Sequence, residues 1–408
     1  GLGEEGINLP ASIYLLDVTG DQLDVMGRGF SDGDPDGAGF PIAGTLAPAP
    51  WSEGGALGQV LMSLREPLAD IVYDPRNVLA AVVEKFTAMG LTPVVACELE
   101  FYLIDKRRAE NGAPLPPLLP GTNRRDSDNQ VYSLEMLDYY QAFLDDVQQW
   151  SAEQGVPCSM ASTEFGPAQF EINLDHRADA LRAADDAALF RRLVKAAALA
   201  RGMEASFMSK PYADKAGSGL HLHISLLDAQ GRNIFSGNGA AGSAALLHAI
   251  GGVRQAMAQS MAVFSPSISA YRRYGPNIFV PQSACWGYNN RSVAIRVPSG
   301  PDEARRLEHR VAGAEANPYL VVAAVLAGLH HGLVTKADPG PPIEGNAGAQ
   351  VRADMPQNIW AALDVMTAGK ILPDYFPGNY TALYVDAKRR ELEKFFQSIA
   401  PQEYAWYL

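Results

Sequence analysis

The sequence predicts an α+β protein of more than one domain, and three observations carry that reading. Several segments alternate apolar and polar residues, as half-buried strands do. Long alanine-rich stretches at 178–203 and 240–264 read as helices. A Gly-, Pro- and Asp-rich stretch at 27–58 has no helical period and reads as part of a small β-rich unit with long loops; its most acidic part, 32–39, reads equally well as plain surface. At 408 residues the chain is long enough to bury a large core.

Composition narrows the function. A formal net charge of −13 argues against a nucleic-acid or anionic-membrane surface. The three cysteines, Cys97, Cys158 and Cys285, form no CxxC and leave an odd count, so the expectation is a reducing cytoplasm and no disulfide framework. The longest apolar helical stretch, 319–329, is too short to span a bilayer, and no signal peptide is expected. The opening GxGxxG at Gly1 to Gly6 follows no strand and opens no clear helix, so it is a chance match.

In chain order, 13–18 reads as a strand ending in a turn. Asp74 and Pro75 open a helix through Met89, closed by Gly90. A strand follows over 92–103, with Glu98 and Glu100 on one face. Like charges at that spacing repel, so they face either solvent or a divalent cation. A helix over 134–155 precedes Glu164 and Glu171. Seven residues apart on a straight strand, these two would point to opposite faces; Gly166-Pro167 allows a bend or bulge that turns both inward. A glycine turn, Gly217-Ser218-Gly219, then feeds a strand in which His221, His223 and Ser225 share one face. Asp228 to Gly231 forms a hairpin turn, with Ile234-Phe235 as a return strand. Another strand is expected over 290–298, and Arg306, Glu308 and Arg310 share a face by period two. Asn317-Pro318 opens a helix through Leu329, and 388–396 is amphipathic.

The polar residues of these strands form a chemical set. Glu98, Glu100, Glu164, Glu171 and Glu308 with His221 are oxygen-rich, which favours Mg²⁺ or Mn²⁺ over zinc. Arg273, Arg291, Arg296, Arg306 and Arg310 add positive charge. Carboxylate-bound divalent metals beside arginines suit phosphoryl transfer from a nucleotide. There is no GxxxxGK[ST] or HExxH sequence, so P-loop and zincin chemistry are set aside.

At these residues the chain resembles the glutamine synthetase superfamily. The motifs occur in order: Glu98 and Glu100; Glu164, Gln169 and Glu171; Gly217-Ser218-Gly219 with His221 and His223; Asn290-Arg291 with Ile295-Arg296; Arg306, Glu308 and Arg310; and Asn317-Pro318-Tyr319-Leu320. The resemblance implies a small amino-terminal β-grasp domain over 1–73 and a catalytic domain over 74–408, built on a concave antiparallel sheet flanked by helices. It implies two or three metals per site. Glu100, Glu164 and Glu171 would hold one; Glu98, His221 and Glu308 would hold the one that meets the ATP phosphates. Gly217, Arg273 and Arg310 would bind L-glutamate. Arg291, Arg296 and Arg306 would bind phosphates, with His223 and Ser225 near the nucleotide. Arg273, Arg291, Arg296 and Arg310 would serve catalysis.

The implied reaction is ATP-dependent. The γ-carboxylate of glutamate takes the γ-phosphate, and a nitrogen nucleophile then displaces it. The resemblance also implies a large homo-oligomer of stacked rings, in which a neighbour's β-grasp domain completes each site.

Four positions depart from the family pattern. Ala216 stands where an asparagine is usual, and Glu303 where a lysine is common. Ser31-Asp32-Gly33-Asp34 is a loose counterpart of the ammonium-binding Asp-Gly-Ser turn. Phe279 falls where ammonia-using members carry a glutamate. A phenyl ring accepts no proton but lines an apolar pocket or stacks on a cation, with Trp286 and Tyr288 extending that wall. The expected acceptor is therefore an organic amine giving a γ-glutamylamide: a polyamine such as putrescine first, with a small monoamine, ethanolamine or an aromatic amine open. An ammonia-using glutamine synthetase, a non-catalytic glutamate- and ATP-binding homologue, and a guanidino kinase are the alternatives.

Overall fold

The computed structural model describes residues 2–65, 72–127, 129–275, 279–351 and 353–408. The amino-terminal segment contains β1 (Ile7–Pro10), β2 (Asp36–Pro41), β3 (Ala47–Pro48), β4 (Gly58–Gln59) and β5 (Met62–Leu64). They form a three-stranded sheet in the order β1-β2-β5 and a separate β3-β4 pair. The strand expected over 13–18 does not form. Ala11–Tyr14 is a 3₁₀ turn, and Leu16 makes only a single bridge to Gln22. The Asp17 carboxylate explains the bend: it accepts from the backbone N–H groups of Thr19 and Asp21, at 2.8 and 3.0 Å, closing a turn in place of a ladder. This segment is tied to the rest of the chain by Tyr14 to Asp74 (3.0 Å), Met26 N–H to Asp386 (2.9 Å) and Lys394 to Asp17 (2.5 Å).

The large sheet holds β6 (Thr92–Asp105), β7 (Cys158–Thr163), β8 (Gln169–Leu174), β9 (Met203–Ser206), β10 (Leu220–Leu227), β11 (Trp286–Tyr288), β12 (Ile295–Val297) and β13 (Leu307–His309). Its order is β11-β12-β13-β10-β6-β8-β7, with β9 paired to the far end of β6. Every pairing is antiparallel except β11 with β12. Period two divides its faces. Val95, Cys97, Leu99, Phe101 and Leu103 of β6, and Leu220, Leu222, Ile224 and Leu226 of β10, are buried in the core. The alternate residues, including Glu98, Glu100, His221 and His223, point to the other face.

Four long helices, Pro75–Ala88, Ala180–Ala200, Ala244–Phe264 and Pro318–Thr335, supply the apolar side of that core. Two of them approach closely because glycines line their contact: a Cβ on Gly252 would lie 2.1 Å from the Gly328 carbonyl oxygen. The apolar helix expected to end at Leu329 runs on to Thr335. Its polar continuation at His330 is accommodated, since the ring pairs with the Tyr375 hydroxyl at 2.8 Å inside the protein. By length and composition alone this helix could cross a membrane, but 67 % of it is buried within the protein.

Other expectations shorten. The helix over 134–155 breaks at Tyr140 into Leu134–Tyr139 and Gln141–Gln154. Ile234-Phe235 makes no return strand: the turn ends in a single bridge between Leu227 and Asn233. The strand over 290–298 contracts to Ile295–Val297, because Asn290 spends its amide on the Ile343 and Gly345 carbonyls. The three cysteines are free.

Candidate active site

Register assembles the carboxylates. On β6, Glu98 lies between His221 of β10 and Asn173 of β8, and Glu100 lies opposite Glu171 of β8. On the other side of β10, His223 pairs with Glu308 of β13, which pairs in turn with Arg296 of β12. Glu164 joins the row by chain reversal. β7 and β8 form a hairpin in which Ser162 faces Glu171, and the Glu164 N–H donates to the Gln169 carbonyl at 2.8 Å. Facing residues of a hairpin share a side of the sheet, so Glu164, two on from Ser162, shares Glu171's side. The turn itself, not a bend in one strand, aligns the two.

Glu98 is the hub. One of its carboxylate oxygens is 3.2 Å from His221 Nδ1 and the other 2.6 Å from His223 Nε2. Two groups of potential metal ligands meet there, Glu98 with His223 and Glu308, and Glu98 with Glu171 and His221, each set with its ligand atoms within 4.8 Å of one another. The resemblance had grouped the residues otherwise, placing Glu171 with Glu100 and Glu164, and His221 rather than His223 with Glu98 and Glu308. His223 is drawn in because β10 lies beside β13, a neighbour that spacing within one strand does not specify. Glu100 accepts from the Gly219 N–H at 2.7 Å and lies 4.0 Å from His221 Nε2.

The electrostatics divide the row. Burial opposes ionisation of Glu98, but hydrogen bonds from His221 and His223 outweigh it and hold the carboxyl well below the usual range. Burial also opposes ionisation of Glu308, and the Arg310 guanidinium beside it brings the pKa down to about 2. Glu308 also takes a hydrogen bond from Arg296 at 2.8 Å. Glu164 has only His221 and the Phe165 N–H in its favour, and Glu171 only Arg310 at longer range, among the described residues. Burial, then the neighbouring carboxylates, push each up to about 8.

The arginines surround this floor. Arg273 is buried and donates to the Val311 carbonyl at 3.1 Å. Gly217 is required there, since a Cβ would meet the Arg273 side chain at 2.7 Å. Gln169, part of the motif but not expected in the site, braces the same loop by donating to the Gly217 carbonyl at 2.9 Å. Ala216 offers its carbonyl to the Tyr102 hydroxyl at 2.7 Å. Among the described residues, the buried Nε–H groups of Arg273, Arg296 and Arg310 have no hydrogen-bond acceptor. Three guanidinium groups thus border the carboxylate row, each with its Nε–H unspent among the described residues.

Two cavities open from the sheet. One, about 610 Å³, is lined by Glu98, Asn173, His176, His223, Ser225 and Arg306; Arg306 Nε donates to His223 Nδ1 at 3.1 Å. The other, about 570 Å³, is lined by Phe279, Tyr288, Arg291 and the 343–346 loop. It adjoins the first group through Asn289, which accepts from Arg296 at 3.0 Å. No sequence signal singled out Asn289 or this loop. Trp286 is not part of the wall: it is buried, and its indole N–H donates to the Pro339 and Gly340 carbonyls. Tyr288 is, with its hydroxyl on the Ala241 carbonyl at 3.0 Å. Asp32 caps its own loop, accepting from Gly29 N–H at 3.0 Å. Asn277 and Ile278, which flank Phe279, lie outside the described residues.

A sheet that lines up acidic side chains and histidines, bordered by arginines, is the arrangement of a metal-dependent phosphoryl-transfer enzyme. Residues 72–407 match the family described as glutamine synthetase, catalytic domain, and the chain belongs to that family. It is 38 % identical over 406 residues to a gamma-glutamylputrescine synthetase of Escherichia coli, covering 99 % of this chain and 86 % of that one. It is 31 % identical to a glutamate–isopropylamine ligase of a Pseudomonas species, covering 99 % and 88 %. It is also 29 % identical to a gamma-glutamylethanolamide synthetase of Streptomyces coelicolor, covering 98 % and 85 %. Among solved structures, a GmaS/ADP complex superposes with a TM-score of 0.84 at 26 % identity, over all of this chain and 90 % of the other.

Proposed function

We propose that the chain is an ATP-dependent ligase that joins the γ-carboxylate of L-glutamate to an organic amine through γ-glutamyl phosphate. The observation that carries the reading is the carboxylate–histidine row centred on Glu98, bordered by guanidinium groups with unspent donors. The names of the three relatives support an amine, and so does the exposed Phe279 ring in a cavity beside the row.

The row fits divalent metal. Its donors are carboxylate oxygens and imidazole nitrogens, and the burial and repulsion that lift Glu164 and Glu171 are what a bound cation relieves. Glu98, Glu100, Glu164, Glu171, His221 and Glu308, with His223 beside them, would hold Mg²⁺ or Mn²⁺, which would supply charge neutralisation on phosphate oxygens. Arg273 and Arg310 hold the glutamate carboxylate beside Gly217. Arg291, Arg296 and Arg306 take phosphate oxygens, with His223 and Ser225 lining the nucleotide end. A γ-carboxylate oxygen attacks the γ-phosphorus, and ADP leaves. The amine nitrogen then attacks the acyl carbon: the C–N bond forms, the C–O bond to phosphate breaks, and the nitrogen gives up a proton.

We further propose that residues 1–73 form a β-grasp-like domain ahead of a catalytic domain over 74–408. The protein would be a cytoplasmic homo-oligomer of stacked rings whose sites are shared between neighbours. An amino-terminal loop whose Phe30 is 88 % exposed supports a partner surface there. Sedimentation showing a fully active monomer would refute the shared site. The ligase reading is tested by phosphate release with ATP, Mg²⁺ and glutamate across a panel of amines and ammonium. Phosphate that depends on both glutamate and an amine is expected; a higher kcat/KM for ammonium than for every amine would make the protein an ammonia-using glutamine synthetase.

A further inference from the structure

We propose that Glu344 is the anchor for a second, permanently charged nitrogen of the acceptor, so that the preferred amine is a diamine or longer polyamine. The inference rests on the ligase reading above and adds a specificity-determining residue to it. Glu344 lies on the loop that closes the 570 Å³ cavity, together with the Phe279 and Tyr288 side chains and Arg291. Its carboxylate makes no hydrogen bond or ion pair with any described residue, whereas Asn290 and Ser292 beside it are spent in pinning the loop backbone. The loop is thus held by other groups, and the carboxylate is left over.

The chemistry of the acceptor needs such a group at a distance from the reacting centre. The nitrogen that attacks an acyl phosphate must be neutral, because a protonated amine has no lone pair. A carboxylate at that nitrogen could take up its proton but would not distinguish one amine from another. A second nitrogen several carbons away keeps its proton at neutral pH, its carbon chain is apolar, and its charge is attracted both to a carboxylate and to an aromatic face. This cavity offers that combination: the half-exposed Phe279 ring, Tyr288 and an unpaired carboxylate. It also touches the reacting end, since Asn289 on its wall bonds Arg296, which bonds Glu308. Arg291 also lines this cavity, and a cation there is repelled by it and attracted by Glu344.

The test compares 1,4-diaminobutane with n-butylamine, which has the same carbon chain and no second charge, using full-length protein with saturating ATP, Mg²⁺ and glutamate. The native protein should have the higher kcat/KM for the diamine. Glu344→Gln should raise KM for the diamine and shrink its advantage by about 2- to 5-fold, the worth of one exposed ion pair, and Glu344→Asp should recover part of it. An advantage that survives Glu344→Gln, or a native protein that uses both amines equally, overturns the inference and leaves the ligase reading standing. If no amine at all supports glutamate-dependent phosphate release, the ligase reading itself has failed.

Discussion

The two ends of the carboxylate row are built from the same residue type and behave in opposite ways. At one end Glu98 sits against two imidazoles and Glu308 between two guanidinium groups, and both carboxyls are held low despite burial. At the other end Glu164 and Glu171 face Glu100 and each other; His221 and Arg310 act on them, but burial and the neighbouring carboxylates outweigh that, and both are pushed up to about 8. The first end is charge-balanced by the protein. The second is only partly balanced and has most to gain from something that binds. The chain therefore separates a permanent scaffold from a site whose stability is conditional on its ligand.

The largest effect should come from the residue common to both ends. Glu98→Ala removes the hub of both ligand groups and leaves His221 and His223 without their acceptor. Turnover should fall by more than about 100-fold, since loss of groups that merely orient metal ligands already costs 10–100-fold. Phosphate release together with circular dichroism checks this. Near-native activity in a folded Glu98→Ala protein would break the comparison at its centre.

Glu171→Gln acts first on the conditional end, although Glu171 also joins the ligand group of Glu98 and His221. It deletes one member of the repelling set and keeps the side chain's shape. Activity should fall about 10- to 100-fold, while the metal-free protein becomes no less stable and its gain in Tm on adding Mg²⁺ shrinks. A loss of metal-free Tm in this variant would mean that the chain itself stabilises the Glu171 carboxylate.

The pH dependence sharpens the same point. Glu164 and Glu171 have folded pKa values above that of an ordinary carboxyl, near 4.5, so between there and about 8 the folded state binds more protons than the unfolded one. Stability then falls as pH rises through that window. Glu308 has the opposite sign: its contribution is present above the ordinary carboxyl pKa and is lost as pH falls toward about 2. Thermal unfolding of metal-free protein from pH 5 to pH 9 should show Tm declining up to about pH 8 and levelling beyond it, and saturating Mg²⁺ should flatten that decline. A Tm that rises with pH without metal would contradict the assignment.

How much of this was legible in the sequence depends on the distance between partners. Period two was enough to put Glu98 with Glu100, and His221 with His223, on common faces, because each pair lies within one strand. Pairing Glu100 with Glu171, or His223 with Glu308, depends on which strands lie side by side, and spacing along the chain does not encode that. The helix after Asn317 was readable from its cap and composition, yet its end was not, because a polar residue such as His330 is inward when a distant Tyr375 receives it. Trp286 and Tyr288 looked equivalent as aromatic wall. Two apart on one strand, they share a side, with ring centroids 5.1 Å apart; they differ because the chain at 339–340 covers the indole and takes its N–H, while Tyr288 stays partly exposed.

The smallest effect tests how the balanced end is kept in order. Arg306 Nε donates to His223 Nδ1 at 3.1 Å, and this leaves Nε2 as the protonated nitrogen that faces Glu98 at 2.6 Å. Arg306 also lines the nucleotide-side cavity, so it has two roles: charge for phosphate and orientation of the imidazole. Arg306→Lys keeps the charge but loses the planar fork that reaches the ring. If orientation matters, kcat should drop about 10-fold and the Mg²⁺ concentration for half-maximal activity should rise, while KM for ATP changes little. If only charge matters, the lysine variant should be nearly native, and Arg306→Gln should instead raise KM for ATP. The split between the metal requirement and KM for ATP decides whether the protein orders His223 through Arg306 or through Glu98 alone.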